Sequence, residues 1–293
     1  MIFRTLAHKK LNTPAEYAQC KSKERTKPMN HSDTLGISAE FEVVQIKKGN
    51  RTSTIASVPT EVPLTIVANN EEIATLSGSP HHLREFVYGF LFTAGFIQEA
   101  HDVQSFFCDE TKWRIEVKLK NSPEPNLLTR RLYTSGCGRG VMFSSVVELA
   151  LRRPLADEFT IGSDVILRLM RWLQTSSQLY RNTRGVHTAA LSKGGALPEV
   201  VCDDIGRHNA VDKVIGSALI TGVDFKVSVL LCSGRISSDI LFKAKRCEIP
   251  VAISLGAPTH QAVLLARDMR MTLVGFARGL SFTIFSNSGR III

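Results

Sequence analysis

From about residue 186 onward the chain alternates short apolar runs with amphipathic stretches, and that alternation limits the folds open to it. Residues 186–191 and 199–202 read as short strands paired across a turn at Gly194-Gly195. Residues 209–220 read as a helix, 226–232 as an apolar strand with almost no alternation, and 238–247 as a helix. A strand at 251–254, a helix at 259–269 and a strand at 272–276 follow, with a last edge strand at 280–285. Strands with no polar side are buried on both faces. Alternation of such strands with helices predicts an α/β unit with a largely parallel sheet covered on both sides.

The first half reads differently. Residues 41–46 and 62–68 have strand character, separated by the polar turn Lys47-Lys48-Gly49-Asn50. Asn69-Asn70 marks another turn before 73–76, and residues 113–119 alternate apolar and charged side chains. Ser79-Pro80 has the form of a helix start, with Ser as cap and Pro in the first position, for a helix over 81–92. Phe90, Phe92 and Phe96 are then core residues. The Pro-containing stretch 121–126 is the best linker, and Ser163-Asp164 caps a long amphipathic helix reaching about 179. These readings divide the chain into a flexible basic extension (1–38), a small α+β subdomain (39–126) and an α/β domain (127–293).

The formal charge of +9 is concentrated at the front, where residues 1–30 hold seven Lys or Arg and two Glu. The body is only mildly basic, which suits an anionic ligand and requires no nucleic acid. No recognised nucleic-acid motif accompanies the tail. No apolar run approaches the ~18 residues of a membrane span, and the N-terminus lacks a secretory apolar core. A cytoplasmic protein is expected. Its six cysteines are dispersed with no C-x-x-C pair, which argues against structural zinc and for free thiols. Cys202 and Cys232 each end an apolar run and read as buried.

In an open α/β sheet, ligands bind beyond the carboxyl ends of the strands. Four loops lie there: 202–209, 232–238, 254–259 and 275–281. All contain Gly, three contain Arg, and three lead into helix N-termini, where free N–H groups favour an anion. Together they predict a phosphate-bearing or nucleotide ligand. Neither a P-loop nor a G-x-G-x-x-G fingerprint is present, which disfavours the familiar NTPases and dehydrogenases. His208, between Arg207 and Asn209, is either a ligand-orienting proton donor or a buried, hydrogen-bonded histidine. His187 reads as a strand residue supporting the site. Asp203 and Asp204 suit arginine binding or capping better than paired-carboxylate hydrolysis, and the adjacent His81-His82 makes a poor metal site.

One cysteine stands apart, in Ser135-Gly136-Cys137-Gly138-Arg139-Gly140. Three glycines in five residues make this stretch hard to hold as helix or strand. Arg139 favours the thiolate of Cys137, so the loop is either a turn that contains a cysteine or a mobile, activated thiol.

These loops together resemble the formate dehydrogenase accessory sulfurtransferases of the FdhD family. The resemblance lies in Glu61-Val-Pro-Leu-Thr-Ile, Ser79-Pro, Gly89-Phe-Leu, Ser135-Gly-Cys-Gly and Gly185-Val-His-Thr-Ala-Ala-Leu. It continues through Asp204-Ile-Gly-Arg-His-Asn-Ala-Val-Asp-Lys-Val-Ile-Gly, of which Gly206-Arg-His-Asn-Ala-Val-Asp-Lys is specific, then Ser233-Gly-Arg-Ile-Ser-Ser, Ala257-Pro-Thr and Gly275-Phe-Ala-Arg. It covers roughly residues 40–293 and leaves out the basic tail.

The resemblance implies a three-layer α/β/α, cytidine-deaminase-like fold for the C-terminal part. It implies a homodimeric sulfurtransferase that takes persulfide sulfur from a cysteine desulfurase. The sulfur goes to the molybdenum (or tungsten) bis(guanine dinucleotide) cofactor, the bound substrate, before insertion into the formate dehydrogenase apoprotein. No metal ion of its own is implied. The persulfide carrier maps to Cys137, and the cofactor-binding segment to Phe276, Ala277, Arg278, Gly279, Leu280 and Ser281. The family loop usually carries C-x-x-C, and here the second position is Gly140, so a two-thiol relay within the loop is excluded. The alternative is a cofactor-binding chaperone without sulfur chemistry. A zinc deaminase is disfavoured, because H-x-E and P-C-x-x-C are missing.

Overall fold

The computed structural model describes residues 36–121, 131–133, 141–143, 154–156 and 158–293. Strands β1 (Ser38–Lys47) and β2 (Asn50–Pro59) form an antiparallel hairpin. Its turn residues Lys48 and Gly49 have φ of 50° and 82°, the left-handed values that a tight hairpin turn needs. Strands β3 (Val62–Ala68) and β4 (Glu71–Gly78) follow, then helix α1 (Leu83–Thr93), β5 (Val103–Asp109) and β6 (Arg114–Leu119). These strands make a four-stranded sheet in the order β4-β3-β6-β5. Leu64, Ile66, Ile115 and Val117 share one buried cluster with Phe86 and Leu91 of α1.

Beyond them lie the short pair β7 (Arg131–Tyr133) and β8 (Val141–Phe143), then β9 (Ile161–Gly162), α2 (Ser163–Ser176) and α3 (Gln178–Thr183). The larger sheet follows with β10 (His187–Lys193), β11 (Val201–Asp204), helix α4 (Arg207–Thr221) and β12 (Ser228–Cys232). Helix α5 (Ser238–Arg246), β13 (Val251–Ser254), α6 (His260–Asp268), β14 (Thr272–Arg278) and β15 (Ser281–Ser286) complete it. Strand β16 (Ile291–Ile292) returns to pair with β9.

The large sheet has the order β11-β10-β12-β13-β14-β15. It is mixed, not largely parallel: only β12–β13 and β13–β14 are parallel pairs. The β10–β11 and β14–β15 connections are hairpins, which join antiparallel neighbours. The absence of alternation in the central strands is explained by two covers. Val229, Leu231, Val251, Ile253 and Val274 pack with Ile166, Leu169, Met170 and Leu173 of α2. Their neighbours Leu230, Cys232, Ala252 and Leu273 share the other cluster with α4, α5 and α6. The architecture is therefore mixed α/β, a sheet between helix layers. None of the described helices is long and apolar enough to cross a membrane.

The two sheets meet where α1 crosses α4. A Cβ at Gly89 would lie 1.8 Å from the Asp212 carbonyl oxygen, and one at Gly216 1.8 Å from that of Glu85. Only glycine lets the two backbones approach so closely.

Three sequence expectations change. Ser79 is not a helix cap: α1 begins after His82, itself left-handed at φ 52°. The long helix from 163 ends at Ser176, and Ser177 starts α3 by accepting the Tyr180 N–H at 2.8 Å. Strands β2 and β5 went unread, the first because Asn50–Pro59 is rich in Ser and Thr and largely exposed. Of the extension expected over 1–38 only 36–38 are described, and Ser38 already belongs to β1. The expected boundary at 126/127 lies outside the described residues.

Candidate functional site

Strand direction decides where the predicted loops go. β11 is antiparallel to β10, and β10 is antiparallel to β12, so β11 and β12 point the same way. β13 and β14 run parallel to β12. All four strand-end loops therefore gather at one edge, as the sequence predicts.

These loops are fastened to each other. Ser254 Oγ donates to the Gly234 carbonyl at 2.6 Å and accepts the Gly256 N–H at 2.8 Å. The Phe276 N–H reaches the Gly256 carbonyl at 3.1 Å, and the Thr259 N–H that of Ile236 at 3.0 Å. Gly275 is compressed between Phe285, Pro258 and Gly256, where an added Cβ would meet atoms at 2.9–3.0 Å.

Beside this edge opens a cavity of about 590 Å³. Its polar lining comprises Gln174, Tyr180, Arg184, His187, Thr188, Ser233 and Arg278. Among the described residues two arginines and no carboxylate line it, so it suits an anion. Arg184 is left-handed at φ 56°, and its guanidinium lies 5.1 Å from the Tyr180 ring centre. Arg278 donates through Nε to the Leu255 carbonyl at 2.9 Å. Asp203 accepts hydrogen bonds from Ser177 Oγ and Thr188 Oγ1, each at 2.7 Å, which ties the α2–α3 junction to the sheet. Thr188 and Ser233 are joined backbone N–H to hydroxyl at 2.8 Å.

His187 occupies the first position of β10, opposite Asp204. Burial lowers its pKa, and the charges of Arg207, His208 and Arg235 lower it further against the opposing pull of Asp204. Its imidazole is neutral at pH 7.

The stretch 204–213, which contains the Gly206-Arg-His-Asn-Ala-Val-Asp-Lys block, has another duty. Asp204 and Lys213 are fully buried and paired at 2.7 Å. Asp204 also accepts the Ser79 N–H at 3.0 Å, the Gly206 N–H at 2.8 Å and Asn209 Nδ2 at 3.0 Å. Lys213 donates to the carbonyls of Ser79 and Asp203, each at 3.2 Å. Asn209 donates to the Ser77 carbonyl at 2.8 Å. His208 is buried, with Nε2 3.3 Å from Ser237 Oγ and 3.4 Å from an Asp239 oxygen. The motif is a polar joint between the two sheets, and of the two readings for His208 the buried, hydrogen-bonded one holds. Asp204 pairs with Lys213 and does not cap α4, whose N-cap Gly206 has no side-chain cap bond, and Asp203 accepts from two hydroxyls.

Of the six expected cofactor-segment residues, Arg278 lines the cavity. Phe276, left-handed at φ 53°, packs against Phe285, and Ala277 is buried. Gly279 and Leu280 form the tip of the β14–β15 hairpin, closed by the Arg278–Ser281 pair. Cys137 and its loop lie outside the described residues. The four described cysteines are poor nucleophiles, because burial pushes Cys202 and Cys232 up to about 12 and raises Cys247 and Cys108. Among the described residues no group of side chains could hold a metal ion. Tyr180 of α3 and Arg184 at its C-terminal end line the cavity but carry no signal in the sequence, because nothing local distinguishes a cavity-lining residue in or after a short helix.

The FdhD/NarQ family model matches residues 59–292. The chain is 38% identical to the sulfur carrier protein FdhD of Bacillus pumilus (strain SAFR-032) over 249 residues, covering 84% of this chain and 95% of that protein. It is also 38% identical to the sulfur carrier protein FdhD of Staphylococcus aureus (strain MRSA252) over 266 residues, covering 90% and 98%. A crystal structure of a Desulfotalea psychrophila protein, described as a formate dehydrogenase accessory protein, superposes with a TM-score of 0.72 at 29% identity. That match covers 88% of this chain and 100% of the other.

Proposed function

The chain belongs to the FdhD/NarQ family, and from that premise we propose that it is a sulfur carrier protein that serves formate dehydrogenase. It acts as a sulfurtransferase in the cytoplasm, as a homodimer. It takes persulfide sulfur from a cysteine desulfurase and passes it to the molybdenum (or tungsten) bis(guanine dinucleotide) cofactor, its substrate.

The observation that carries this reading is the carboxyl-edge cavity, lined among the described residues by Arg184 and Arg278 and by no carboxylate. Its volume of about 590 Å³ falls in the range of small-molecule sites. The arginines suit the phosphates of a dinucleotide, which guanidinium groups bind through paired hydrogen bonds.

Cys137 is the sulfur carrier. The four described cysteines are held as thiols, and of the other two, Cys137 lies inside the family match at 59–292 while Cys20 lies outside it. Its thiolate attacks the outer sulfur of the desulfurase persulfide. The S–S bond of the donor breaks, its cysteine leaves as thiolate, and the sulfane sulfur, with its proton, becomes Cys137–S–SH. No electrons are gained or lost in this loading step, so the single thiol left by Gly140 is enough to take up the sulfur.

Complementation tests the reading. In cells lacking the protein, Cys137→Ala should fail to restore formate dehydrogenase activity that the wild type restores. Incubation with a desulfurase and cysteine should add one sulfur to Cys137, read by intact mass. Full restoration by Cys137→Ala would leave the chaperone reading in place of sulfur transfer.

A further inference from the structure

His187 is the titratable side chain that the cavity holds without a partner. Among the described residues nothing hydrogen-bonds to its imidazole. The ring is nonetheless firmly seated. Its backbone is paired with Asp204, and a Cβ at Gly234 would lie 2.9 Å from Nδ1 and 3.2 Å from Cε1. The ring thus rests against bare backbone on one side, and the same residue lines the cavity.

The charges around it are mostly positive. Helix α4 contributes Arg207 and His208, and the loop after β12 contributes Arg235. The cavity itself adds Arg184 and Arg278, with Tyr180 beside them. Asp204 on β11 is the opposing charge, and it is committed to Lys213. Such a frame keeps a proton off the imidazole while the cavity is empty. A phosphate entering the cavity reverses the local sign, because its charge offsets the arginines and favours the imidazolium.

We propose that His187 takes up a proton as a phosphate-bearing ligand enters this cavity and then donates a hydrogen bond to it. The proton comes from solvent and no bond is broken in the ligand. The proposal rests on the reading of the cavity as a nucleotide-cofactor site and names the group that senses occupancy there. By linkage, affinity then rises as pH falls, by up to about tenfold per pH unit for one proton taken up. Histidine is the side chain whose charge can change in this way near neutral pH.

Calorimetric titration of the full chain with GDP, between about pH 6 and 8, tests it. Repeating each titration in buffers of different ionisation enthalpy gives the protons taken up per GDP bound. The wild type should take up more than His187→Asn, and the difference cancels the titration of GDP's own phosphate. His187→Gln should bind with a similarly flattened pH dependence, since its amide donates a hydrogen bond but does not titrate. Both variants should approach the wild-type affinity at the high end of the range. Equal proton uptake in wild type and variants, with GDP bound by all three, overturns this proposal and leaves the cavity reading standing. Absence of GDP binding by the wild type overturns both. If neither variant folds, titration of the wild type with inorganic sulfate decides. Sulfate does not titrate in this range, so sulfate bound with proton uptake supports the proposal, and any other result overturns it.

Discussion

His81 shows how one residue can look inert in sequence and matter in the fold. Beside His82 it reads as a poor metal ligand, and among the described residues there is no metal-binding cluster. In the structure its Nδ1 is buried without a hydrogen-bond partner. Burial, then the charges of Lys213 and His82, lower its pKa to about 3, against a hydrogen bond to the Asp203 backbone. The unfolded chain protonates this residue near the ordinary imidazole value of about 6.5, and the folded chain does not. Its contribution is therefore complete above about pH 6.5 and is lost as pH falls from there toward 3. Because the ring is partly exposed, the slope should stay below about 1 kcal/mol per pH unit. Urea unfolding at a series of pH values should show wild-type stability falling on acidification more steeply than His81→Gln. Parallel pH profiles would remove this role. The sequence displays the His but not its surroundings, since Lys213 and Asp203 lie more than a hundred residues away.

At the scale of elements, the legible parts were those whose local pattern matches their surroundings. The central strands β12, β13 and β14 are apolar without alternation because both faces are covered, and their runs in the sequence say so. The Lys48-Gly49 turn and the Gly194-Gly195 turn are likewise local, each needing left-handed backbone. The misreadings arise where tertiary contacts claim a residue. Ser79 looks like a cap, but its hydroxyl accepts the Ile205 N–H at 3.2 Å and its carbonyl serves Lys213, so α1 starts later. Gly89 and Gly216 are visible in the sequence, but that each stands against the other's helix is not. Gly89→Ala and Gly216→Ala should each lower stability by about 1–3 kcal/mol or more, since the added methyl meets backbone that cannot step aside. The double variant should cost less than the two single losses added, because the first substitution already separates α1 from α4. Midpoints of chemical unfolding measure all three, and strict additivity would mean that the two glycines act independently.

Across the whole molecule, α4 joins the parts. From adjacent positions Lys213 reaches Asp204 on β11, and Asp212 holds Lys243 of α5 at 2.6 Å and Thr93 of α1 at 2.9 Å. The small sheet and one face of the large sheet also share a single apolar cluster. A joint that is both polar and apolar should make the two sheets unfold together. The chain carries its own reporters: Trp113, beside β6, packs on the shared cluster, and Trp172, on α2, packs on the cluster across the large sheet. Trp172→Phe and Trp113→Phe leave one reporter each, and their fluorescence transitions in urea should coincide. Lys213→Met strands the buried Asp204 carboxylate and should destabilise by about 3–5 kcal/mol, whereas pairing it with Asp204→Asn should recover part of the loss. In the Lys213→Met background both tryptophan transitions should move to lower urea by the same amount. If the Trp113 transition alone moved, the small sheet would be an independently folding unit and α4 only its neighbour.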